Sequence, residues 1–157
     1  MWCIVGSDKN KVVKSGDMFI GEYQHSVDAK GRMAVPSKFR TQLKKGAIVT
    51  RGLDNCLFVY PKEEWQKLAD KLVGLPISQA KSRAFSRLML AGAHEADIDS
   101  QGRINIPDHL RSYAKIKQKA VVAGLYNRIE IWDEVLWGQY RDKAEAESQE
   151  IAESLEI

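Results

Sequence analysis

The stretch DAKGRMAVPSKFR, Asp28 to Arg40, returns in altered form as DSQGRINIPDHLR, Asp99 to Arg111. Asp28, Gly31, Arg32, Pro36 and Arg40 recur at one constant offset as Asp99, Gly102, Arg103, Pro107 and Arg111. A second block follows in register. VTRGLDNCLFVYPKEEW, Val49 to Trp65, is matched by VVAGLYNRIEIWDEVLW, Val121 to Trp137. There, with the offset larger by one position, Gly52 meets Gly124, Leu53 meets Leu125, Asn55 meets Asn127 and Trp65 meets Trp137. The chain therefore holds two copies of one unit, with a single-residue insertion in the second. A repeat of this kind governs the whole fold, because each copy is one supersecondary unit that needs its neighbour to bury its apolar face.

The first copy divides into short elements. Phe19 to Val27 is rich in β-formers without a helical period, which predicts a strand. Asp28 to Gly31 is a turn: Asp accepts hydrogen bonds from backbone N–H groups just ahead of it, and Gly supplies positive φ. Arg32 to Val35 is the return strand. Pro36 suits the first position of a helix, where its missing N–H costs nothing. Ser37 to Leu43 forms that short helix, stopped near Gly46. Ala47 to Thr50 and Cys56 to Tyr60 are two further strands joined by a turn at Leu53, Asp54 and Asn55. The unit is ββαββ, occurring twice. Two such units with strands exchanged between them are expected to close a small barrel and remove its free edges.

Between and after the copies lie helices. Trp65, Leu68, Ala69, Leu72 and Val73 follow the spacing of an amphipathic helix over residues 61–74. A second helix is expected to be capped by Ser78 and to turn Ala84, Phe85, Leu88, Met89 and Ala91 to a core. A long, acidic C-terminal helix is expected from about Asp133 to Ser154. The domain scheme is a disordered leader at 1–17, one module at 22–64, connecting helices at 65–92, a second module at 93–136 and a C-terminal helix at 137–157. Met18 reads as the natural start.

Composition excludes several classes. The hydrophobic fraction of 44% suits a globular chain, and no apolar run approaches the length of a membrane span. Cys3 and Cys56 are the only cysteines, so no disulfide framework or zinc spacing exists, and Cys56 reads as a buried small hydrophobe. His25, His94 and His109 are isolated, and neither a metal nor another cofactor is expected. No phosphate loop, zinc-protease or nucleophile-elbow motif occurs, so an enzyme is not expected. With no export signal visible, the expected location is the cytoplasm.

Charge is uneven. Residues 142–157 hold six acids and one Lys, whereas the repeat at 19–60 holds seven basic and three acidic residues. The second repeat, 91–132, holds six basic and five acidic residues, and Gln101 stands where the first copy has Lys30. The first copy is thus the better candidate to meet a polyanion.

The doubled D-x-x-x-R unit resembles the SpoVT/AbrB-type DNA-binding module, and two such modules in one chain resemble the MraZ family of bacterial regulators. The resemblance rests on MFIGEYQHSVDAKGRMAVPSKFR from Met18, TRGLDNCLFVYP from Thr50, KSRAFSRLMLAGAHE from Lys81 and NRIEIWDEVLW from Asn127, and covers Met18 to Ile157. It implies an α+β fold in which two ββαββ modules build a swapped-hairpin, AbrB-like β-barrel with flanking helices. It also implies a homo-oligomeric ring on the nucleoid that presents its loops to double-stranded DNA. The target implied is short direct repeats in the promoter of the division and cell-wall gene cluster, including the protein's own gene. Arg32 matches the family's DNA-contact residue, and Arg103 is its counterpart.

Asp28 and Arg32 also have a plain reading, a hairpin turn tied by an internal ion pair, and the two readings are compatible. Asp99 and Arg103 are read chiefly as structural. Lys30 beside Arg32, and Lys38, Arg40, Lys44 and Lys45 behind it, form a basic face suited to phosphates; otherwise they are a solvated helix surface. Trp65 and Trp137 read as core or interface anchors. A different class of function stands beside DNA binding: a ring-forming scaffold for protein partners, in which the basic loops are incidental. Neither a membrane nor a small-molecule substrate is expected as a partner.

Overall fold

A computed structural model describes residues 18–157. The leader expected at 1–17 lies outside the described residues. The first unit runs β1 (Phe19–Ser26), β2 (Arg32–Ala34), α1 (Ser37–Arg40), a 3-10 turn at Thr41–Leu43, β3 (Ala47–Arg51) and β4 (Leu57–Pro61). After it come α2 (Lys62–Val73), α3 (Ala80–Ser86) and a π-helical turn at Arg87–Ala91. The second unit repeats the first as β5 (His94–Ala96), β6 (Arg103–Asn105), α4 (Asp108–Tyr113), β7 (Lys119–Tyr126) and β8 (Ile129–Asp133). Two helices, α5 (Glu134–Ala146) and α6 (Ser148–Ser154), close the chain.

The two units interlock. Six strands form one sheet in the order β1-β7-β8-β4-β3-β5, so the first strand of each unit pairs with the third strand of the other. β2 and β6 pair with each other as a separate two-stranded ribbon. The expected exchange of strands is present, but the barrel is not. The sheet is open, with β1 and β5 at its edges, and among the described residues the ribbon meets it through one bridge, Val27 to Met33. The cause is strand length. β2, β5 and β6 are only three residues long. Pro36 and Pro107 follow the ribbon strands with no N–H to extend a ladder.

The ribbon lies over the sheet and its inward face is apolar. Met33 and Ile104, paired across the ribbon, are buried with Val35 and Ile106 behind them. Phe39 from α1 and Leu110 from α4 fill matching places, and Phe19 and Tyr23 meet the Phe39 ring edge-on at 5.1 and 5.4 Å. One core thus serves both units, and the space between ribbon and sheet has no room for a water molecule.

Four local expectations change. Pro36 stands just before α1 rather than inside it, with ψ at 134°. Ser78 caps nothing, because a turn from Pro76 to Gln79 moves the start of α3 to Ala80. Of the side chains expected to face a core from that helix, Met89 is buried, while Phe85 and Leu88 are exposed. The C-terminal helix is two helices, broken at Glu147, where φ is −103° and ψ is 5°. The turn at Asp54 and Asn55 is as expected, both residues having positive φ. Cys56 is buried beneath it, and that burial pushes its thiol up. Trp65 leans on Tyr60, and Trp137 packs on Trp132 while donating to Glu22 at 2.7 Å.

Candidate nucleic-acid interface

Each D-x-x-x-R segment is a closed loop built around its Asp. Asp28 Oδ1 accepts from the backbone N–H of Lys30 and of Arg32, both at 2.9 Å, and Oδ2 accepts from Arg32 Nε at 2.8 Å. Asp99 repeats the arrangement: its Oδ1 takes the N–H groups of Gln101 and Arg103, and its Oδ2 takes Arg103 Nε at 2.9 Å. The backbone N–H of Arg32, with its guanidinium and the Lys30 N–H adding to it, holds the Asp28 carboxyl below the usual carboxylate range. The Arg103 N–H leads the same set of effects at Asp99. Gly31 and Gly102 close the loops at φ of 85° and 77°, a region that L side chains rarely adopt.

The loops also hold each other. Gly31 O accepts from Ile106 N at 2.7 Å, and Gly102 O accepts from Val35 N at 2.8 Å. Arg111 donates through Nε to Ile106 O and lies under Gly31, while Arg40 donates to Val35 O and lies under Gly102. So each closing arginine braces the other unit's loop. Spacing alone does not reveal this: it assigns Arg40 to a surface face and leaves Arg111 unassigned.

Pairing decides what faces outward. Arg32 stands opposite Asn105, and Ala34 opposite Arg103. Side chains alternate along a strand, so Met33 and Ile104 point inward and Arg32, Ala34, Arg103 and Asn105 share the outer face. Arg32 and Arg103 are diagonal neighbours, about 7–8 Å apart. Each guanidinium is fixed through Nε by its Asp, and among the described residues the terminal nitrogens of both have no protein partner. The outcome is two oriented forks, each with a free donor edge. Asn105 escapes the motif reading; its only signal is its place two residues after Arg103.

The two repeat segments carry different charge, although each closing arginine lies under the other segment's loop. Lys30 is exposed at the tip of the first loop, where Gln101 stands in the second. Lys38 is exposed on α1, and its counterpart His109 lies on α4 with Nε2 3.1 Å from Gly92 O. Asp108 pairs with Arg111, while Ser37 leaves Arg40 without such a partner. Residues 28–40 hold four basic and one acidic residue, a net of +3; residues 99–111 hold two of each, a net of zero. Among the described residues no group of His, Cys, Asp or Glu is placed to hold a metal ion, and no helix is long and apolar enough to cross a membrane.

The sequence model of the MraZ protein family matches the chain twice, at residues 18–88 and 89–156, one match for each interlocked unit. The chain belongs to the MraZ family. Among relatives, the transcriptional regulator MraZ of Halothermothrix orenii is 50% identical over 139 residues, covering 88% of this chain and 97% of the relative. That of Alkaliphilus metalliredigens is 51% identical over 139 residues, with the same coverage. That of Natranaerobius thermophilus is 48% identical over 138 residues, covering 88% of this chain and 96% of the relative. In this MraZ-family member, the boundary between the two matches falls in the π-helical turn that precedes β5.

Proposed function

We propose that this chain is a DNA-binding transcriptional regulator, not an enzyme, and that the outer face of the β2–β6 ribbon is its reading surface. The observation that carries the reading is the pair of Asp-held arginines on that face with unpartnered terminal nitrogens. A two-stranded ribbon fits the major groove, and an Arg fork binds guanine O6 and N7, or a phosphate, bidentately. The Asp fixes the rotamer before DNA arrives, so less side-chain freedom is lost on binding. Lys30 adds phosphate attraction at the tip of the Arg32 loop, where the second loop has Gln101, which makes the first loop the stronger contact; Lys38 and Arg40 add to the basic face as a whole. Asp28 acts through Arg32, and Arg103 is the weaker second fork.

The double-stranded target is a set of short direct repeats in promoter DNA, in the promoter of the division and cell-wall genes that includes the protein's own, as the family resemblance implies. One ribbon offers few contacts. Several copies in a ring on the nucleoid make each later contact intramolecular, and avidity of that kind exceeds single-site affinity by ~10²–10⁴. The test is footprinting on the DNA upstream of the protein's own gene, with a heparin-retention control. Protected repeats in one orientation support the reading. Absence of both protection and heparin retention leaves the scaffold reading instead.

A further inference from the structure

The connecting helices expose a cleft. Leu72, Leu75, Pro76, Ile77 and Leu90 line an opening of about 270 Å³, with Arg83 and Arg87 on its border. The cleft is a built feature: Arg83 donates to Ile77 O at 3.0 Å, and Ser86 Oγ donates to Leu72 O at 3.3 Å, tying α3 to the end of α2. Ile77 is 83% exposed. Residues 75–92 hold three basic residues and no acid. Lys81, Arg83 and Arg87 form no ion pair among the described residues.

The chain carries the complement at its other end. α6 buries none of its residues. Ile151 and Leu155 are 41% and 62% exposed, and residues at this spacing lie one turn apart on the same side of a helix. Glu147 lies on that same side and Glu150 on its flank, within a segment of six acids and one Lys at 142–157. An apolar pair flanked by Glu147 and Glu150 on an acidic tail matches an apolar cleft edged by guanidiniums. Within one chain both surfaces stay uncovered by the described residues.

We infer that α6 of a second copy of this chain docks in the cleft between α2 and α3, with Ile151 and Leu155 on Leu75, Ile77 and Leu90 and with Glu147 and Glu150 toward Arg83 and Arg87. Because cleft and tail are different surfaces, the contact is head-to-tail, the kind that propagates around a ring when the rotation closes. This deepens the assembly part of the proposed function and is independent of DNA contact.

The experiment uses two full-length variants. One has a dead tail, Ile151→Asp with Leu155→Asp. The other has a dead cleft, Ile77→Asp with Arg87→Glu. Wild type is expected to sediment as an oligomer, and each variant alone at the mass of one chain with its melting temperature kept, since all four side chains are outside the core. Mixed one to one, the variants retain a single good cleft and a single good tail, and form a dimer that grows no further. Wild type at the mass of one chain, variants that keep the wild-type mass, or a mixture that stays monomeric would each overturn the inference. Should a variant unfold, a photo-crosslinking residue at position 155 in the otherwise unchanged chain decides: adducts on 72–90 of another copy support it, and adducts elsewhere refute it. Loss of DNA binding with assembly intact would refute the DNA reading alone.

Discussion

The two D-x-x-x-R loops have one geometry and two electrostatic settings. Every hydrogen bond that Asp28 makes is repeated by Asp99: two backbone contacts at 2.9 Å in each loop, and an Arg Nε contact at 2.8 Å in the first and 2.9 Å in the second. What differs at the loop tip is Lys30 against Gln101; elsewhere in the two repeats Lys38 stands against His109, and Arg40, without an ion pair among the described residues, against Arg111 held by Asp108, each of these arginines lying under the other repeat's loop. Turn geometry and charge are therefore separable. The ion pair belongs to the turn in both copies, and the surplus of positive charge belongs to one. Arg103 makes the same turn contacts as Arg32, so its structural task is the one that Arg32 also performs.

The largest effect that sharpens the comparison is in the core. Phe39 and Leu110 hold equivalent places, and Phe39→Ala is expected to lower stability by about 3–5 kcal/mol and Leu110→Ala by about 2–5 kcal/mol. Because one core serves both units, each variant should still unfold in a single urea transition that includes both. Two separated transitions would show the units to be independent.

A smaller effect separates the loops. An Ala Cβ at Gly31 meets the backbone oxygen of Ile106 at 2.6 Å, whereas at Gly102 it meets the flexible guanidinium of Arg40. Both replacements cost roughly 1–2 kcal/mol for the left-handed conformation. Gly31→Ala adds a clash that only backbone movement relieves, so its urea midpoint should be the lower of the two.

The Asp residues give the smallest effect. Asp28→Asn removes the acceptor that orients Arg32, and should weaken DNA binding about 2- to 10-fold through lost preorganisation; Asp99→Asn should do less. Both carboxyls have folded-state pKa values below the ordinary 3.8. Their stabilisation is thus complete above that ordinary value and is lost as pH falls through the lower folded one. Wild type should lose stability on acidification in that range, and the double Asn variant should show a flatter acid limb. An unchanged limb would mean that the loops do not contribute.

Much of this is legible in the amino-acid sequence. The constant offset between Asp28–Arg40 and Asp99–Arg111 exposes the doubled unit, and Asp, Gly and Arg at fixed spacing specify the turn, because its hydrogen bonds are local. Closure of the sheet is not legible. It depends on how far β5 runs, and the short strand that starts at His94 carries no length signal. Periodicity identifies Phe85 and Leu88 as one helical face but not what covers that face. The bracing of each loop by the other unit's arginine is a tertiary event, invisible in either copy alone.

The central claim is that the first loop is the main DNA contact and the second a weaker copy. Binding of Arg32→Ala and Arg103→Ala to an upstream-region duplex, measured by anisotropy across a salt series, tests it most directly, with melting curves and sedimentation confirming folded, assembled protein. One lost Arg–base contact costs about 1–3 kcal/mol, and the loss multiplies over engaged loops. Arg32→Ala should therefore abolish specific binding, Arg103→Ala should leave a weakened but specific complex, and the two melting temperatures should be alike. Equal loss of binding from both variants would contradict the claim, as would full retention by Arg32→Ala.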